Sequence, residues 1–375
     1  MVAGVAPAPV LPDYSGAGIS SLLPALLEPP GDRPAWLPAG LSQASPVVLL
    51  VVDGLGWTQL RARPRVTPVL HGLSGHPITS VAPTTTATAL SSIVLGCPPA
   101  EHGVVGYRVR VDGPSGEEVL NVLRWRTVSG DAREFVPPRT FQTRPPFGGR
   151  SVPVVSKVDF AGSGFSEAHL DGAPLASWAV ASSIAVEVRR ALAGGSPVVY
   201  AYYDGLDRIA HIAGFGEHYD AELAAVDHLA GELLDLIPPG GALAVTADHG
   251  QVHVAERVTR LAPEVMAGVR LVSGEARFRW LHAEPGRAGD VLAAALAAYG
   301  HEAWVRSYDQ VEAEGWLGGP LAGDVRSRVG DVALVPHAPI GYLDPADPGE
   351  AVLVCRHGSL TEDEMLVPLL VHVAR

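Results

Sequence analysis

Apolar residues fall along this chain in two rhythms. One is the unbroken run, seen in Val47–Val52, Val198–Tyr203 and Ala242–Thr246. A short run of this kind predicts a strand buried on both faces, as in a parallel sheet. The other is the helical spacing. It marks Ile19–Leu27, Thr58–Leu70, Ser177–Leu192 and Glu217–Leu236, the last with Leu223, Val226, Leu229, Leu233 and Leu234 on one side. A further strand is predicted at Ile78–Val81. In Pro83–Gly96, threonines come first, and then Ala89, Leu90, Ile93 and Val94 recur at helical spacing before Gly96. That pattern predicts a helix with the threonines at its N-terminus, where free backbone N–H groups can meet an anion. Strand and helix alternate up to about residue 250, the signature of an α/β fold.

The rhythm is lost between Tyr107 and Gly172. Pro137-Pro138, Pro145-Pro146 and Gly148-Gly149 mark loops there. Arg108, Arg110, Arg124, Arg126, Arg133, Arg139 and Arg144 lie in the same stretch. Two readings of this excursion, about residues 108–172, stand level: a lining for a substrate cleft, or a solvated loop region. From Arg257 the pattern changes again. Val269–Val272, Phe278–Ala283, Trp304–Arg306 and Val332–Leu334 read as strands around a helix at Ala288–Tyr299. Val352–Val354 and Leu366–Val371 then return to the core. The expected organisation is a Pro- and Gly-rich lead-in over residues 1–45 and a catalytic core of residues 46–256 and 341–375. A small α+β cap, residues 257–340, is inserted between the core segments.

Composition narrows the partners. The chain has 375 residues, 47% of them hydrophobic, enough for a large core. A net charge of -13 argues against a nucleic-acid polymer as partner. It leaves room for a phosphorylated small molecule, because bound cations reverse the local sign. Cys97 and Cys355 form no disulfide framework and read as small buried hydrophobes, although Cys355 sits two residues before His357. Met1–Val10 lacks the pattern of a signal peptide, and no run of about 18 apolar residues occurs. The expectation is a cytoplasmic protein without a membrane partner.

The chemistry gathers where the apolar runs stop. Val52 is followed by Asp53-Gly54, Tyr203 by Asp204-Gly-Leu-Asp207, and Thr246 by Ala-Asp248-His249-Gly250. In an open α/β sheet, ligands bind outside the carboxyl ends of the strands, so these acids would share one rim. Asp207 and His211 are four apart, which on a helix puts carboxylate and imidazole on one face, able to hold one divalent metal. Asp204 competes with Asp207 but lacks the histidine four residues on. Singly, each of these signals is common. The hydroxyls of Thr84, Thr85, Thr86 and Thr88 are equal candidates for a nucleophile on the residues alone, with Thr84 also suited to cap the helix.

Together these segments resemble the alkaline phosphatase superfamily, and within it the nucleotide pyrophosphatase/phosphodiesterase (type I phosphodiesterase) branch. The matching residues are Val52-Asp53-Gly54, Pro83-Thr-Thr-Thr86, Gly96-Cys-Pro-Pro-Ala-Glu-His102-Gly103, Asp207-Arg-Ile-Ala-His211, Asp248-His249-Gly250 and His357-Gly358-Ser, in family order over roughly residues 45–375. The resemblance implies a mostly parallel central sheet with helices on both faces. It also implies two divalent metal ions, zinc first, with manganese or iron as alternatives. Asp207, His211 and His357 would hold one ion. Asp53, Asp248, His249 and the Thr86 hydroxyl would hold the other.

By the same resemblance Thr86 is the nucleophile, forming a phosphothreonine intermediate in the hydrolysis of a small-molecule phosphate ester. One position departs from the family pattern. Relatives carry Phe-Pro-Asn after the nucleophile, and the Asn contacts the phosphoryl group; here Ala87, Thr88 and Ala89 stand in its place. Phosphomonoester or phosphonate hydrolysis is therefore the alternative. A phosphoryl-transferring mutase or a non-catalytic metal-binding relative ranks below both. The sulfatase branch is disfavoured, because Cys97-Pro98-Pro99-Ala100-Glu101 lacks its Cys-x-Pro-x-Arg pattern. His102 is expected to be structural, and His253 to lie on a surface loop.

Overall fold

Seven strands form the central sheet among the residues that the computed structural model describes, 7–375. They are β1 (Val47–Val52), β2 (Ser74–Thr79), β3 (Val154–Lys157), β4 (Leu175–Trp178), β5 (Val198–Tyr203), β6 (Ala242–Thr246) and β7 (Leu366–Val373). Their order across the sheet is β2-β7-β6-β1-β5-β3-β4. β1 pairs in parallel with β5 and β6, and β3 in parallel with β4 and β5. β7 runs antiparallel to both of its neighbours. Every residue of β1 and β6 is buried, which is why these strands carry no polar alternation. The first six residues of the lead-in lie outside the described residues.

Helices flank the sheet. α1 (Ile19–Leu27) packs on α2 (Thr86–Leu95), and α3 (Ile184–Ala193) packs on β4 and β5. α4 (Gly205–Ala213) packs against α5 (Glu217–Leu234). None of the helices is long and apolar enough to cross a membrane among the described residues.

Several elements differ from their sequence patterns. The helix predicted at Thr58–Leu70 is two short helices, Trp57–Arg61 and Pro68–Gly72, separated by a turn at Pro64. Proline lacks the N–H that a continuing helix needs, and Pro68 instead starts the second helix. The stretch read as one helix from Ser177 begins as β4, and the helix proper starts at Ile184. The excursion carries regular structure after all. Arg108–Gly113, Gly116–Asn121, Arg126–Thr127 and Gly130–Asp131 form an antiparallel sheet, and the sheet strand β3 lies at its far end. Val352–Val354 is not a strand. Cys355–Arg356 pairs instead with Val252–His253, outside the central sheet.

Residues 257–340 contain a second sheet, ordered Val269–Glu275, Phe278–Ala283, Val332–Pro336, Ala303–Ser307, all antiparallel. Alternation along these strands divides their side chains between two cores. Leu281, Val305, Val332 and Leu334 meet α6 (Ala288–Tyr299) in a separate cluster. Phe278, Trp280, Trp304 and Val335 face the main core. The inserted sheet is thus sealed onto the molecule by its own period of two.

Candidate active site

The carboxyl ends of β5, β1 and β6 lie side by side, because Val52 pairs with Tyr203 and Val51 with Thr246. Each chain continues into polar residues at that edge. Asp53 follows β1 directly, and its N–H donates to the Tyr203 carbonyl at 2.9 Å. Asp248 and His249 lie just past β6. α4 starts just past β5, placing Asp207 in its first turn and His211 one turn on, with His211 Nε2 3.3 Å from Asp207 Oδ2. Gly54 has φ +72°, and a Cβ there would lie 2.4 Å from Gln251 Nε2, so only glycine lets the β1 turn close on this rim.

Opposite the rim stands α2, with Thr86 its first residue and Thr85 at the N-cap position. Thr84 is not the cap. Its hydroxyl accepts the Gly358 N–H at 3.0 Å and donates to the Ser359 carbonyl at 2.8 Å. That pair of bonds locks the His357 loop to the start of α2. Thr86 Oγ1 lies 3.2 Å from His249 Nε2.

Two groups of donor atoms result. Asp53, Asp248 and His249 form one, with each ligand atom within 4.8 Å of the others. Asp207, His249 and His357 form a second by the same measure, and His211 joins it through its contact with Asp207. The proposed ligands therefore converge, with His249 shared between the groups.

The second layer aims them. His211 Nδ1 donates to the Cys355 carbonyl at 2.7 Å, His357 Nδ1 to Thr84 at 2.8 Å, and His249 Nδ1 to Gly250 at 3.1 Å. A carbonyl only accepts, so these bonds put the proton on Nδ1 and leave each Nε2 lone pair toward the site. Asp248 Oδ1 accepts the N–H groups of Gly54 and His249, at 3.0 and 2.9 Å. Asp53 Oδ2 accepts the Tyr202 hydroxyl. Gln251 Nε2 donates to Asp207 Oδ1 at 2.8 Å.

What remains are Asp53 Oδ1 and Asp248 Oδ2, buried and without a hydrogen-bond partner among the described residues. Both face His249 Nε2, at 3.5 and 3.4 Å. Burial, then the nearby Asp248 and Asp207, pushes the Asp53 carboxyl well above its usual range, and burial raises Asp248 too. Burial and the neighbouring imidazoles hold His357 well below its own. Crowded carboxylates beside imidazoles whose Nε2 atoms face the site are a donor set that a divalent cation fits.

Other candidates separate cleanly. Asp204 is held by Lys157 Nζ at 2.9 Å. His102 Nδ1 accepts the Val104 N–H and its Nε2 meets Ser92 Oγ, so it braces α2; burial pushes it down to about 3. His253 is exposed on its short strand. Cys97 and Cys355 are buried free thiols. Ala89 is fully buried and lines neither cavity described below.

Two cavities meet at Thr86, Asp207 and His211. One, about 600 Å³, runs past Phe160, Phe165, Tyr200 and Tyr202. The other, about 530 Å³, is walled by Glu275 and Arg356. Sequence reasoning named neither of these two residues. Arg356 could have been noticed beside His357. Glu275 carries no local signal, since it reaches the site only through the hairpin of the inserted sheet. Its Oε2 lies 3.8 Å from His357 Nδ1.

The sequence matches the family described as type I phosphodiesterase / nucleotide pyrophosphatase over residues 47–340. No curated protein matches it in sequence. Among solved structures it is similar to murine ectonucleotide pyrophosphatase / phosphodiesterase 5, in an inactive form in complex with AMP. That match has 17% identity over 88% of each chain and a TM-score of 0.66. The human counterpart matches with 15% identity over 87% of each chain and a TM-score of 0.64. Phosphonoacetate hydrolase from Sinorhizobium meliloti, in complex with phosphonoformate, matches with 18% identity over 88% of this chain and 91% of that one, at a TM-score of 0.65. At such identities the likeness carries the fold: a mostly parallel sheet flanked by helices, as in alkaline-phosphatase-like proteins.

Proposed function

The chain belongs to the type I phosphodiesterase / nucleotide pyrophosphatase family of the alkaline phosphatase superfamily, and from that premise we propose that it is a divalent-metal-dependent hydrolase of small phosphoric esters, working through a phosphothreonine at Thr86. The observation that carries this reading is the position of Thr86 Oγ1. It heads α2, 3.2 Å from His249 Nε2, beside the unpartnered Asp53 and Asp248 oxygens.

Asp53, Asp248 and His249, with Thr86, would hold one cation, and Asp207, His211 and His357 the other. Zn²⁺ suits this mixture of imidazole nitrogen and carboxylate oxygen, with Mn²⁺ or iron as alternatives. Bound there, such cations supply Lewis acidity, favouring the ionised threonine oxygen and offsetting phosphoryl charge. Thr86 Oγ1 adds to phosphorus as the ester P–O bond breaks; the threonine gives up its proton and the departing alcohol takes one up. Water then attacks phosphorus, splits the bond to Oγ1 and restores the hydroxyl. The N–H groups of the first turn of α2 have no intrahelical acceptor and are placed to hold a nonbridging oxygen.

A small ester is the substrate class this favours, since the similar structures hold AMP and phosphonoformate. A phosphonate or monoester is the second reading. Ala89 favours it, because a methyl group sealed in the core cannot replace the phosphate-contacting amide of the diesterases. The test is hydrolysis of p-nitrophenyl phosphate, bis-p-nitrophenyl phosphate and p-nitrophenyl phenylphosphonate by Zn²⁺- or Mn²⁺-loaded protein. Acid-quenched samples are then digested and the Thr86 peptide weighed. Turnover with a phosphate added at Thr86 is expected; no turnover of any ester at full metal occupancy overturns the reading.

A further inference from the structure

Six arginines are buried among the described residues: Arg33, Arg108, Arg277, Arg279, Arg328 and Arg356. Five of them are satisfied. Arg33 and Arg328 donate to backbone carbonyls, and Arg108 pairs with Asp344 at 2.6 Å. Arg277 forks onto Glu364 with two bonds of 2.7 Å and donates to the carbonyls of Ala338 and Ile340. Arg279 donates to Glu350, Tyr342 and Gly274. Arg356 is the exception. Its residue is only 2% exposed, yet Nε, Nη1 and Nη2 all lack a hydrogen-bond partner among the described residues.

A buried guanidinium with its whole fork unpaired is costly to the fold, and its geometry matches a carboxylate or phosphate group bound through two oxygens. Arg356 lines the 530 Å³ cavity that also reaches Thr86, Asp207 and His357. No acid sharing that cavity pairs with Arg356 among the described residues, although Glu275 Oε1 and Asp347 Oδ2 are themselves buried without a hydrogen-bond partner. Glu350 is taken by Arg279, and its Oε1 accepts the Ala276 N–H at 3.1 Å. Asp347 lies 3.7 Å from Arg108. Asp207 belongs to the ligand group. Glu275 lies against His357. Arg124, on the same wall, makes no ion pair among the described residues and adds positive charge.

We propose that Arg356 is a second anion subsite, so that the substrate carries a carboxylate or a further phosphate group beside the phosphoryl group presented to Thr86. The proposal rests on the hydrolase reading only for where the first phosphoryl group sits. It assigns specificity to a residue next to, but outside, the ligand set. The aromatic cavity on the far side of Thr86 is left for the other substituent.

The test is binding to the metal-loaded full chain carrying Thr86→Ala, which prevents turnover. Phosphonoacetate, methylenediphosphonate and ethylphosphonate are titrated calorimetrically with Arg356 intact and in Arg356→Gln and Arg356→Lys. With Arg356 intact, phosphonoacetate or methylenediphosphonate should bind about tenfold or more tightly than ethylphosphonate, the scale of a charge-assisted hydrogen-bonded pair. Preference for the first marks a carboxylate, and for the second a phosphate. Arg356→Gln should erase that advantage and leave ethylphosphonate binding unchanged, and Arg356→Lys should keep part of it. Equal binding of all three with Arg356 intact overturns the proposal, as does an advantage that survives Arg356→Gln. An unchanged metal content in each variant shows that the site is still folded. Failure of the Thr86-intact protein to hydrolyse any ester is a separate result, counting against the hydrolase reading alone.

Discussion

The imidazole rings of His249 and His357 stack face to face, 3.7 Å between centroids and 16° from parallel. Each is fixed through Nδ1 to a backbone carbonyl, at Gly250 and at Thr84. The stack therefore joins the ends of β6 and α2 and brings the two donor groups into contact. Rings this close resist charging, and His357 is held well below its ordinary range, by burial first and His249 next. The His357 Nε2 lone pair therefore stays available near neutral pH.

This arrangement gives stabilisation by metal a defined pH dependence. Asp53 and Asp248 have raised folded-state pKa values, by burial first. Such acids favour the folded state at low pH and lose that contribution as pH rises from about 4, the unfolded carboxyl range, through the folded value. The metal-free protein should therefore lose stability across that window. Cation binding needs the same carboxyls ionised, so it strengthens as their protons leave. The gain in Tm on adding Zn²⁺ should be larger at about pH 8 than at about pH 5. Calorimetry with and without chelator checks this, and a gain that shrinks with rising pH contradicts it.

Sharing of His249 between the donor groups predicts unequal ligand variants. His211→Ala removes a ligand from one group only and should leave about one ion per chain. His249→Ala removes a ligand of the other cation and also takes away the ring stacked on His357, so it should leave well under one. Metal analysis after dialysis against a weak chelator distinguishes the two; equal losses would show that the two groups are independent.

Thr86→Ala should lower kcat by at least about a thousandfold, since the covalent route is lost. Metal content should fall little, because the carboxylates and imidazoles remain. Thr86→Ser should keep measurable turnover. Steady-state kinetics on the ester that the wild type prefers, with metal content measured alongside, checks all three expectations.

The rim was legible in the sequence for a physical reason. A strand buried on both faces tolerates no polar residue, so Asp53 after Val52, and Asp248-His249 after Thr246, stand out against their runs. The histidine of α4 was legible because Asp207 and His211 share one face of a helix. Glu275 and Arg356 were not. One arrives on a hairpin of the inserted sheet, the other on a two-residue strand paired with Val252–His253, and no periodicity announces either. β3 was missed because four residues, Val154–Lys157, are too short for a pattern among so many prolines. The break between Arg61 and Pro68 was visible as Pro64, but the apolar spacing ran across it.

Tyr202 belongs to the apolar run Val198–Tyr203 and its ring is buried in β5, yet its hydroxyl donates to Asp53 Oδ2. Tyr202→Phe keeps the packing and removes only that bond. Outer-shell partners of this kind are worth about 10–100-fold in metal affinity or activity. A loss in that range is expected in competitive metal titration, with Tm of the metal-free protein changed little. Tyr200→Phe, one strand position pair away and without a side-chain bond to a ligand, is the control and should behave as wild type.

Among the ties between the inserted sheet and the site is the ion pair of Arg277 with Glu364, both fully buried. Glu364 sits just before β7, and its Oε1 also accepts the Ser359 N–H at 3.0 Å, two residues past His357. Removing one partner strands the other charge without water. Glu364→Ala should therefore destabilise the fold by about 3–5 kcal/mol, whereas an exposed pair would cost little. Arg287→Ala, which breaks the exposed pair with Asp290, supplies that comparison and should fall within about 1 kcal/mol of wild type. Because Ser359 loses its anchor as well, Glu364→Ala should also weaken metal binding through His357. Urea unfolding of the metal-free and metal-loaded protein separates the two effects: the loss should be larger in the loaded form. An equal loss in both would confine the pair to holding the inserted sheet, with no part in positioning His357.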